Sequence, residues 1–148
     1  MAMYSCTIRS NYFRVKDPDS FRLFMSRVYG TKDSVSLFEE KAVDGSLMFG
    51  FGTYGGIGGI RDDAASGDDE CAADETGYDD FIAGLQSHIA DGDAVIILEA
   101  GNEKLRYVVG QATIVTSQDY DVLSIRELAI ARAAAMLDKP GWNTKCEY

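Results

Sequence analysis

The sequence has one histidine, two prolines, one tryptophan and three cysteines in 148 residues. A lone histidine, His88, excludes a histidine-rich metal site, and no serine or cysteine nucleophile can be assigned to it. Cys6, Cys71 and Cys146 are odd in number, far apart and in no C-x-x-C pair. They are read as buried or free thiols rather than a disulfide framework or a zinc site. No apolar run exceeds the five residues of Ala94 to Leu98, against roughly 18 for a membrane helix. The N-terminus has no apolar signal region, so the expected setting is the cytosol, without membrane contact. No G-K-[ST] is present, which excludes a P-loop.

Basic residues are scarce where acidic ones are dense. Net charge is −10. Residues 1–41 carry seven basic and five acidic side chains, and residues 101–148 carry six of each. Residues 42–100 carry one basic and thirteen acidic, a net of −12. Direct nucleic-acid binding needs clustered Lys and Arg, so it is not expected. A basic surface on a host protein or nucleoprotein complex is the expected partner. The charge is densest at Asp62, Asp63, Asp68, Asp69, Glu70, Asp74, Glu75, Asp79 and Asp80, nine carboxylates in nineteen residues.

Three readings of this tract compete. It is a solvated charged loop, a Ca²⁺ loop, or a stand-in for a nucleic-acid backbone. The Ca²⁺ reading starts from Asp62 and Gly67, but Ala64 and Ala73 occupy the third and twelfth ligand positions. Mimicry is dimensionally sound. Duplex DNA carries one charge per about 1.7 Å, so nine charges match roughly 15 Å of duplex.

The pattern predicts one α+β domain. Residues 4–15 read as a strand with a bend near Ser10-Asn11, where the parity of the apolar residues changes. Asp17-Pro18 opens a helix with Phe21, Phe24, Met25 and Val28 as its stripe and Gly30 as its stop. Residues 35–42 and 46–52 read as a hairpin turning at Asp44-Gly45. Residues 55–76 read as a long glycine-rich and acidic loop. A second helix starts at Thr76 or Gly77 and ends at Gly92, with Tyr78, Phe81, Ile82, Leu85 and Ile89 as its apolar stripe. Residues 94–100, nearly all apolar, read as a central strand covered on both faces. Gly101-Asn102 marks a turn, and 104–117 another strand. Ser124-Ile125-Arg126-Glu127 has the form of a capping box that opens a third, alanine-rich helix. The predicted order is β-α-β-β-α-β-β-α, an antiparallel-rich sheet of about five strands with helices mainly on one face. A ferredoxin-like core with an added strand and helix fits that order.

Two further motifs carry chemistry. Gly50-Phe51-Gly52-Thr53-Tyr54-Gly55 matches G-x-G-x-x-G, but a dinucleotide site needs the motif to open a helix. Here more glycine and then carboxylates follow, so it is read as a strand end, and no cofactor is expected. Glu103, Arg106 and Tyr107 form a dense polar cluster. They are read as hairpin ion pairing, with a small enzyme using them or His88 as the rival.

Three stretches carry a resemblance: Asn11 to Asp17, Phe51 to Gly55 and Glu103 to Gly110. Together, over residues 11–117, the chain resembles small acidic proteins encoded by phages, plasmids and other mobile elements. That resemblance implies a setting in which such proteins block host defence, as anti-CRISPR or antirestriction proteins, several of them nucleic-acid mimics. It implies no catalytic residues. The expected function is non-enzymatic inhibition of a host nucleic-acid-binding complex through the acidic tract. The alternative is a protein-binding adaptor whose acidic loop only solubilises.

Overall fold

A six-stranded sheet, antiparallel throughout, organises the chain. The computed structural model describes residues 4–61 and 77–146. Its strands are β1 (Ser5–Ser10), β3 (Ser36–Lys41), β4 (Leu47–Tyr54), β6 (Val95–Glu103), β7 (Tyr107–Val115) and β8 (Tyr120–Ser124), in the spatial order β3-β4-β1-β6-β7-β8. Two short strands, β2 (Val28–Gly30) and β5 (Ile57–Ile60), form a separate ribbon. The helices are α1 (Pro18–Ser26), α2 (Tyr78–His88) and α3 (Ile125–Leu137).

The α+β class, the antiparallel sheet and the three helices agree with the sequence pattern. The strand count and element order do not. The sheet has six strands rather than about five, because Tyr120–Ser124 pairs with β7. That strand is only five residues long, too few for periodicity to register. Ile57–Ile60 pairs with β2 inside the span expected to be loop. Gly58 makes this pairing fit, since a Cβ there would penetrate the Tyr29 ring. The first helix ends at Ser26 rather than Gly30, and Val28 belongs to β2. The turn expected at Gly101-Asn102 lies at 104–106, with Lys104 at φ 49°. Ser124 is the N-cap of α3 but makes no side-chain capping bond.

Side-chain alternation decides what the sheet buries. Ile8, Phe49, Phe51, Val95, Ile97 and Val115 point to one face and are buried. Phe21 and Met25 of α1 and Phe81, Ile82 and Leu85 of α2 close over them. The core is aromatic: Phe21 lies 5.1 Å from Phe49, and Phe81 meets Phe51 edge-on at 5.6 Å. Edge-to-face contacts of this kind add to the burial itself. The bend expected near Ser10-Asn11 is present. β1 stops at Ser10, and Phe13 re-enters the ladder through a bridge to Phe49.

Among the described residues, no helix lies along the opposite face of the sheet. α3 follows β8 without an intervening residue and starts on this second face, where Ile125 is seated over Gly110. β6 was expected to be covered on both faces. Ile96 is 38% exposed and Leu98 54%, so the structure covers it on one.

Candidate functional site

Of the nine carboxylates singled out in the sequence, Asp62, Asp63, Asp68, Asp69, Glu70, Asp74 and Glu75 lie outside the described residues. The chain runs into that segment from Arg61, whose N–H donates to the Arg27 carbonyl at 2.7 Å. It returns at Gly77, the N-cap of α2. Asp79 and Asp80 are exposed in the first turn of this helix, where the helix dipole favours anions. The Asp80 carboxylate accepts the Gly77 N–H at 2.9 Å. Neither aspartate is ion-paired among the described residues. By contrast, Asp19 and Glu39 are held by Arg22, Asp44 by Arg14 and Glu103 by Arg106.

The second polar cluster sits at the far end of β6. The Tyr4 hydroxyl donates to Glu99 Oε2 at 2.6 Å, and the Tyr4 ring stacks on Tyr107 at 6.2 Å. Glu103 pairs with Arg106 at 3.7 Å. It also holds the Tyr107 hydroxyl in its protonated form, which raises the pKa of that group. Burial, then the Glu99 carboxylate, pushes the Cys6 thiol up. A thiol shifted in that direction is a poorer nucleophile at neutral pH. Burial and the bond to Glu99 also push the Tyr4 hydroxyl up.

His88 does not join this cluster. It lies at the end of α2 against the Phe24 ring at 4.8 Å and the Phe21 ring at 5.8 Å, and burial lowers its pKa. Glu103, Arg106 and Tyr107 are thus brought together by the β6–β7 turn, and His88 is not. The G-x-G-x-x-G stretch runs along β4 and turns at Gly55, φ 95°, into β5. It opens no helix. Among the described residues, no three metal-ligating side chains are grouped.

The third feature was not anticipated from the sequence. Leu98 and Ala100 of β6, Ala112 of β7 and Leu123 of β8 face Leu128 of α3 across a cleft of about 480 Å³. Arg9 bounds the cleft on β1, held over the Phe38 ring at 4.5 Å and the Tyr12 ring at 5.5 Å. The signals for this face were the unbroken apolar run 94–98 and the alternation of Val108, Gly110 and Ala112.

No protein family, characterised protein or solved structure matches the chain. Its candidate surfaces therefore rest on their own chemistry. No helix among the described residues is long and apolar enough to cross a membrane.

Proposed function

We propose that this chain is a non-enzymatic inhibitor of a host nucleic-acid-binding defence complex, of the anti-CRISPR or antirestriction type. It works in the host cytosol and presents carboxylates in place of phosphates to a basic groove. We read β3-β4-β1-β6 with α1 and α2 as a ferredoxin-like core to which β7, β8 and α3 are added. The observation that carries the functional reading is charge segregation. Residues 42–100 hold thirteen acidic side chains and one basic. The two members of the dense tract that are described, Asp79 and Asp80, are exposed and spend no charge on an internal arginine.

Binding by this surface is electrostatic. It associates quickly at low salt and weakens steeply as salt rises, because screening acts over about 8 Å at physiological ionic strength. The test is capture of nucleic-acid-binding proteins from a host lysate on the immobilised chain, at salt from about 50 mM to about 200 mM, with duplex DNA as competitor. Capture should fall with salt and with competitor. It should be lost when Asp68, Asp69, Glu70, Asp74 and Glu75 are replaced together by Asn or Gln. Undiminished capture by that variant at physiological salt sinks the mimicry mechanism.

The uncovered apolar sheet face favours a second reading, a protein-binding adaptor whose acidic tract only solubilises. On that reading, deletion of residues 62–75 leaves partner binding intact.

A further inference from the structure

The apolar run at β6 calls for a layer on each face, and among the described residues helices cover only one. A sheet face with this composition is stable when another element covers it. Leu98 is 54% exposed, Val108 70%, and Leu123 38%. Leu98 and Leu123 line the cleft beneath Ile125 and Leu128, and Val108 lies on the same face of β7 as Gly110 and Ala112, which also line it.

The same chain holds the converse, a helix without a sheet. α3 has thirteen residues, of which only Arg126, Glu127 and Arg132 are charged, and none is buried. Met136 at its end is 78% exposed. A helix that is apolar around its whole circumference belongs in an interior. At this length, packing rather than propensity must hold it together.

α3 cannot supply its own sheet's missing layer along its whole length. It begins at Ile125, directly after Ser124 ends β8. A helix normally needs a connection of about 2–6 residues to turn back over a neighbouring strand. Without one, its first turn reaches the face at Gly110 and the remainder diverges, which opens the cleft.

We propose that a second copy of this chain closes both surfaces, with α3 of each protomer lying on the open sheet face of the other. The dimensions agree. Thirteen helical residues extend about 20 Å, and four strands at about 4.8 Å spacing cover about 14 Å. β1, β6, β7 and β8 are the four strands that line the cleft. The charges agree as well. Arg9, Arg126 and Arg132 stand with Glu99, Asp121 and Glu127 on these surfaces, a local net of zero in a chain of −10. Two copies therefore meet where neither is acidic, and like-charge repulsion does not oppose contact. The contact is isologous, so every helix-on-sheet seat occurs twice. A foreign protein would need to bring both a helix and a sheet face of matching kind, whereas a second copy brings both.

The test is sedimentation of the full chain over a micromolar concentration series. The expected species has twice the 16.2 kDa of the chain. Leu98→Glu spoils the acceptor face and Met136→Glu the donor helix, and each should weaken dimerisation at least tenfold. Mixing the two variants should restore a heterodimer, because the sound α3 of one meets the sound face of the other. Hydrogen exchange on the unaltered chain provides a readout that needs no variant: α3 amides gain protection as concentration rises. A chain that remains monomeric throughout overturns the proposal, even if a foreign protein is captured on the face. Failure of the mixture to associate overturns the reciprocal arrangement. Neutralising the acidic tract should leave the dimer intact, so this inference and the inhibitor reading fail by separate measurements.

Discussion

Asn11 and Ile96 exchange two hydrogen bonds, one through backbone and one through a side chain. The Asn11 N–H donates to the Ile96 carbonyl at 3.1 Å, and the Ile96 N–H donates to Asn11 Oδ1 at 2.7 Å. Asn11 Nδ2 also donates to the Ala94 carbonyl at 3.1 Å. The asparagine amide thus continues the β1–β6 ladder past the point where β1 bends away. Asn11→Ala removes these side-chain bonds and should lower stability by about 1–3 kcal/mol. Asn11→Asp keeps the acceptor for Ile96 but loses the donor to Ala94, and its loss should be smaller. Urea unfolding midpoints of the three proteins check the order.

Gly84 on α2 has the Phe24 ring against its bare backbone. A Cβ there would enter the ring. The ring cannot slide aside freely, since it stacks on Phe81 at 6.2 Å and touches His88 at 4.8 Å. Gly84→Ala gains about 1 kcal/mol of helix propensity and incurs about 1–3 kcal/mol of overpacking. The expected net is a loss of stability. Gly84→Ala made in a Phe24→Leu background should cost less than in the unaltered chain, a non-additivity that a double-mutant cycle measures.

His88 gives a pH signature. Its pKa in the folded chain lies below the ordinary histidine value, first through burial, with Asp17 opposing and Lys16 reinforcing the shift. The unfolded chain therefore binds a proton that the folded chain resists. Stability should be fully present above about pH 6.5 and fall as pH drops through the lowered folded pKa. His88→Gln should flatten the dependence in that window. The carboxylates of Asp17, Glu39 and Asp44 are held below their usual range by Ser20, Arg22 and Ser46 respectively. Their contribution is lost at lower pH, as they protonate, and so the two windows separate.

The two described cysteines should react at different rates. Cys146 is exposed, while the Cys6 thiol is pushed up by burial and by Glu99. Iodoacetamide at neutral pH, followed by peptide mapping, should modify Cys146 well before Cys6. Glu99→Gln removes the carboxylate that opposes the thiolate and should accelerate labelling at Cys6 alone.

Much of the fold could be read from residue patterns, and the misses share a cause. Phe21, Met25, Phe81, Ile82 and Leu85 lie in the core where helical spacing put them. The bend at Asn11 and the hairpin at Asp44-Gly45 were visible as a parity change and a turn pair. β2, β5 and β8 were not. Strands of three to five residues carry too few alternations to register, and their pairing depends on long-range partners. The uncovered face was half legible. The run from Ala94 to Leu98 was read as a strand covered on both faces, and the structure covers it on one, because an apolar run specifies a strand but not what packs on its second face. Of the acidic tract, the sequence specified composition, and the described structure adds the anchoring at Arg61 and Gly77 and the exposure of Asp79 and Asp80.

The junction between Ser124 and Ile125 contains no spare residue, and this has a consequence for engineering. A short flexible insert, such as Gly-Ser-Gly, would let the terminal helix swing back onto its parent sheet. What two protomers exchange would then become an intramolecular contact, at an effective concentration set by the tether rather than by the solution. Assembly state in this protein would thus be governed by the length of a connection, with every contacting side chain left in place.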